Sequence, residues 1–108
     1  MGSIALAGEA MRSLGKVQEY ESQLRGIKDS KEEMDSRISN LELETQGLDP
    51  DSPQIKALKK YISKLRAVAD QLEKKRVICE RKKQVAEQRL QNAERAYEQA
   101  VAREYQRA

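Results

Sequence analysis

Side chains able to do covalent or metal chemistry are scarce in this sequence, which holds no histidine and a single cysteine, Cys79. Ser/His and Cys/His nucleophile systems and His/Cys metal clusters are therefore closed to it. With no second cysteine there is no intramolecular disulfide, and the redox compartment leaves no mark. Carboxylate pairs such as Glu32-Glu33 remain, but adjacent carboxylates do acid–base work only where a pocket drives their pKa values apart. The pattern around them marks a solvated helix face. The 5 glycines form no phosphate-cradling loop, and neither a G-x-G-x-x-G nor a Walker sequence is present. These residues predict a protein that is not an enzyme, with no catalytic residue, metal, cofactor or small-molecule substrate.

One dense charge cluster stands out: Lys74, Lys75, Arg76, Arg81, Lys82 and Lys83 fall within ten residues. Such a run is able to attract nucleic acid or an anionic membrane surface. It has no aromatic interleaving and no reader motif, so a solvated helix face is the favoured reading and nucleic acid is disfavoured as a partner. Charge is divided unevenly along the chain. Residues 1–54 hold 6 Lys/Arg and 11 Asp/Glu, net −5, whereas residues 55–108 hold 15 and 7, net +8. Two arms of opposite sign are expected to lie against each other, although exposed ion pairs are individually weak.

The elements that carry these residues follow from composition and spacing. Phe and Trp are absent and charged residues make up 36%, a coiled-coil composition that cannot fill a thick globular core. In the first arm a 3/4 spacing runs through Leu6, Ala10, Ser13, Val17, Tyr20, Leu24, Ile27, Lys31, Met34, Ile38, Leu41, Thr45 and Leu48. In the second it runs through Ile55, Leu58, Ile62, Leu65, Ala69, Leu72, Arg76, Cys79, Lys83, Ala86, Leu90, Ala93, Tyr97 and Ala100. Both are heptad seams.

Between them lies Gly47-Leu48-Asp49-Pro50-Asp51-Ser52-Pro53. Gly47 suits the left-handed residue that closes a helix, Asp51 or Ser52 suits the cap of the next, and Pro53 fits its first turn. The expectation is an all-α fold in one domain: a helix over about 4–46, a turn over 47–52 and a helix over about 53–107, folded as an antiparallel coiled-coil hairpin. About this turn Leu6 falls opposite Tyr97, Leu24 opposite Cys79, Lys31 opposite Leu72, Arg76 opposite Ile27 and Lys83 opposite Tyr20. Flanking charges place Glu42 near Lys59, Asp35 near Arg66 and Lys28 near Glu73, with Glu21 near Glu80 as the discordant pair.

A two-helix hairpin hides one stripe of each helix, so further association is expected on stability grounds. Apolar side chains remain outside the seam. Tyr61 and Val68 are seven apart, and Tyr97, Val101 and Tyr105 follow one face. Ile4, Gly8, Met11 and Gly15 form another stripe. Interior glycines each cost about 1 kcal/mol relative to alanine, which fits close approach of another backbone. These residues are the candidate assembly faces.

The helix, P-x-x-P turn, helix layout, with Pro50-Asp51-Ser52-Pro53 at the turn and Tyr61-Ile62-Ser63-Lys64-Leu65 after it, resembles the needle subunits of type III secretion systems. The chain is longer than a needle subunit, and its long heptads resemble the coiled-coil filament proteins, tip-associated proteins and export chaperones of the same systems. The resemblance implies a secreted subunit that polymerises into a hollow tube, with the C-terminal helix toward the interior, and an extracellular appendage as its location. The expected function is a structural, self-assembling hairpin whose partners are copies of itself and other coiled-coil or secretion-system proteins. The alternatives are a cytosolic coiled-coil export chaperone or adaptor, and a basic helix that binds nucleic acid or a membrane surface. No run of the sequence is long and apolar enough to predict a transmembrane segment.

Overall fold

The computed structural model describes residues 2–107, which form two helices, α1 (Ser3–Gln46) and α2 (Pro53–Arg107). No strand occurs among the described residues. The fold is an all-α helical hairpin. Neither helix has a proline in its interior, so nothing but the break at residues 47–52 interrupts the backbone ladder.

That break is built from short-range hydrogen bonds. The Gly47 and Leu48 N–H groups donate to the Glu44 and Thr45 carbonyls at 3.1 and 3.2 Å, and the Ser52 N–H donates to the Asp49 carbonyl at 2.9 Å. The Asp49 side chain accepts the Asp51 N–H at 3.1 Å, a local side-chain turn typical of aspartate. Ser52 is the residue that caps α2: its Oγ accepts the Gln54 N–H at 3.1 Å, and Pro53 follows at the position where a missing N–H costs nothing.

The left-handed Gly47 expected from the sequence is absent, since no glycine among the described residues has a positive φ. Bonds from each N–H to the carbonyl three residues back tighten the last turn of α1 and satisfy its terminal carbonyls instead.

The chain divides into two compact units, one formed by Arg25–Val77 and one by Met1–Leu24 with Ile78–Ala108. In the unit that holds the turn, Ile55, Ile62 and Leu65 are buried. Around them Ile27, Met34, Ile38, Leu41, Leu58 and Leu72 are half-buried. In the other unit the buried residues are Leu6, Val17, Cys79, Ala86, Ala93 and Ala100, while Leu24 and Leu90 are half-buried. Alanine dominates here, which lets the backbones approach closely but leaves little apolar volume. Among the described residues no large side chain is fully enclosed.

The seam position expected opposite Leu6, Tyr97, is less enclosed than Leu6 itself. Leu6 shares a groove with Ala93 and Ala96, and Tyr97 stays 39% exposed. Cys79, Ala86, Ala93 and Ala100 stay buried at intervals of seven to the end of α2, so the seam keeps its heptad register there, and half-buried Ala96 borders it beside Ala93.

Candidate assembly surface

The three cations in the seams are held by carboxylates that flank them. In the turn unit, Lys31 Nζ lies 2.6 Å from Glu73 Oε2, and Arg76 Nε lies 3.1 and 3.0 Å from the two oxygens of the same carboxylate. The Arg76 guanidinium and the Lys31 ammonium hold the Glu73 carboxyl down to about 2 from the ordinary 4.5. In the other unit Lys83 reaches Glu21 at 4.0 Å and Glu87 at 3.5 Å. Charged seam residues satisfied in this way fix which faces of the helices meet.

Three of the expected flanking contacts are replaced. Glu42 pairs with Arg66 rather than Lys59, Asp35 has no ion pair among the described residues, and Glu73 is taken by Lys31 rather than Lys28. The longer Arg66 side chain carries a forked guanidinium that suits a carboxylate. Lys31 sits half-buried in the seam itself, whereas Lys28 lies exposed outside it. The expected clash of Glu21 with Glu80 is relieved at Glu21 by Lys83.

The Cys79 thiol is buried and unpaired, and donates weakly to the Tyr20 carbonyl at 3.5 Å and to Gln23 Oε1 at 3.7 Å. Among the described residues no group of His, Cys, Asp or Glu is placed to hold a metal ion, and no helix is long and apolar enough to cross a membrane.

The apolar side chains outside the seams are distributed over both units. In the turn unit Tyr61 and Val68 are 48% and 44% exposed. In the other, Ile4, Met11 and Tyr105 are 89%, 73% and 84% exposed, close to the exposure of a free side chain. Val101 differs from its neighbours in that stripe by being half-buried, next to the buried Ala100 of the seam. Gly8 and Gly15 lie within the continuous helix α1. A methyl group at Gly15 would meet nothing within 4 Å, and one at Gly8 would meet only the end of the Arg12 side chain at 3.5 Å. Packing within the chain therefore does not require a glycine at either place.

A contact that sequence spacing does not signal joins the two helix ends. Glu104 accepts the Ser3 backbone N–H at 3.2 Å and the Ser3 hydroxyl at 2.9 Å. A carboxylate from the end of α2 thus serves the unsatisfied, partly positive start of α1. It sets Ile4 and Tyr105, each adjacent in sequence to a bonded residue, at the same end of the unit.

The same unit carries a groove lined by Arg12, Lys16, Arg81, Lys82 and Arg89, with Tyr20, Val85 and Ala86 supplying its apolar part. The basic run in the sequence contributes only Arg81 and Lys82 to it. The other cations come from an Arg12/Lys16 pair four apart on α1 and from Arg89, a combination that becomes visible only when the hairpin register is applied. Set against protein families, curated proteins and solved structures, the chain matches none of them.

Proposed function

We propose that this protein is a structural subunit whose activity is self-association into a filament or tube. The observation that carries this reading is the near-complete exposure of Ile4, Met11 and Tyr105 on a body that fully encloses no large side chain among its described residues. Apolar surface that the fold leaves in water is stabilised by contact with another chain, at about 25 cal/mol for each Å² covered. The interior glycines of α1, which nothing within the chain demands, suit an approach by a neighbouring backbone. The resemblance of the turn to that of secreted needle subunits points the same way, and export belongs to this proposal.

Sedimentation velocity and negative-stain microscopy test it. Wild-type protein is expected to form fibres or large particles as concentration rises. The double variant Ile4→Asp, Tyr105→Asp is expected to keep its helical circular dichroism while sedimenting as a small species. Wild-type protein that remains monomeric at high concentration overturns the reading. Discrete small particles favour a chaperone or adaptor, and aggregation that requires added polyanion favours a nucleic-acid or membrane-surface binder.

A further inference from the structure

The cationic groove has a complement elsewhere on the same chain. Of its five cations only Lys16 has a carboxylate within ion-pair distance, Glu19 at 3.4 Å on its own helix. Arg12, Arg81, Lys82 and Arg89 have no ion pair among the described residues, and no carboxylate lines the groove. On α1, Asp29, Glu32 and Asp35 are exposed and follow one another at intervals of three, which keeps them on one side of the helix. They too have no ion pair among the described residues, whereas nearby Glu33 is occupied by Arg37 at 2.9 Å.

We propose that the groove lined by Arg12, Lys16, Arg81, Lys82 and Arg89 receives the Asp29–Glu32–Asp35 stretch of a second copy of this chain. The proposal rests on the self-association reading and specifies how it is achieved. Three arguments select this occupant. Arginine forks match carboxylates with two parallel hydrogen bonds, and three of the five cations are arginines. Tyr20, Val85 and Ala86 give the groove an apolar lining that suits the methylene stems of a helix better than a bare phosphate chain. Each copy carries one groove and one acidic stretch built from different residues, so the contact is head-to-tail and repeats from copy to copy. Contacts of that kind generate a filament when the rotation does not close.

A charge-swap experiment tests the proposal, with assembly followed by sedimentation and folding by circular dichroism. Arg81→Glu with Arg89→Glu reverses the groove, and Asp29→Lys with Glu32→Lys reverses the stretch. All four side chains are exposed, so both variants are expected to remain helical. Each is expected to raise the half-assembly concentration about tenfold or more, the loss of roughly 1.4 kcal/mol of coupling between charged partners. Combining all four changes in one chain is expected to restore assembly, because reversed groove and reversed stretch again have opposite sign. Higher salt weakens wild-type assembly in the same picture.

If wild-type protein assembles and both reversed variants assemble equally well, the proposal is overturned while self-association stands. If wild-type protein does not assemble, the self-association reading fails and the proposal with it. Tight binding of inorganic polyphosphate that depends on Arg81 and Arg89, with assembly untouched by either reversal, assigns the groove to a polyanion and also overturns it.

Discussion

Replacing Ile62 with alanine separates what holds one chain together from what holds chains to one another. Ile62 is 5% exposed in the turn unit. The change removes three carbons from that site, a transfer loss of about 2.4 kcal/mol at ~0.8 per carbon. The added cavity term is small, because Ile62 borders an open groove with Glu42, Thr45, Lys59 and Arg66 whose long side chains settle into the space. The expected destabilisation is about 2–3 kcal/mol, at the lower end of the range for such truncations. Urea unfolding followed by circular dichroism, at protein concentrations below and above assembly, measures it. The loss is expected at both concentrations. Ile4→Ala, at a site 89% exposed, is the contrast: within about 0.5 kcal/mol of wild type when dilute, and measurably weaker only where copies associate. An Ile62→Ala cost below about 0.5 kcal/mol in dilute protein would refute the account of the seam as the source of hairpin stability.

Other expectations concern the turn and the seam charges. Ser52→Ala removes the oxygen that accepts the Gln54 N–H and is expected to cost about 1 kcal/mol in chemical denaturation, whereas Ser52→Gly costs only a few tenths. Gly47→Ala is expected to be neutral or to stabilise by about 0.4–1 kcal/mol, since φ is not positive there and a methyl group would meet the Glu44 carbonyl oxygen at an ordinary 3.6 Å. A loss above about 1 kcal/mol in the same denaturation assay would restore the left-handed cap. Because the folded Glu73 pKa lies below its unfolded value, its contribution is present above pH 4.5 and is lost as pH falls toward about 2. Carbon-detected NMR titration is expected to place the Glu73 midpoint near 2, and Glu73→Gln to flatten the stability profile across that interval.

The hairpin is legible because its two signals are local and strong: apolar spacing of three and four, and a cluster of Gly, Asp, Ser and Pro between the two arms. Every position of the first seam from Leu6 to Leu48 is buried or half-buried, including the polar Ser13, Lys31 and Thr45. What spacing does not convey is the choice among near-equivalent partners. Glu42 has both Lys59 and Arg66 beside the same groove, and side-chain reach rather than sequence interval decides for Arg66. Nor does a heptad seam convey that Tyr97, at one of its positions, stays exposed while Ala96 beside it is half-buried. The Ser3–Glu104 bond and the assembly of Arg12, Lys16 and Arg89 with Arg81 depend on contacts between residues far apart in the chain. Periodicity within one helix carries no trace of them.

The buried thiol at Cys79 gives the molecule a built-in tripwire. Its sulfur is shut between the helices while they remain zipped, so an alkylating reagent reaches it only during excursions in which they part locally. The labelling rate then clocks how often the zipper breathes, and slower labelling in assembled than in dilute protein would register the grip of neighbours without any foreign probe.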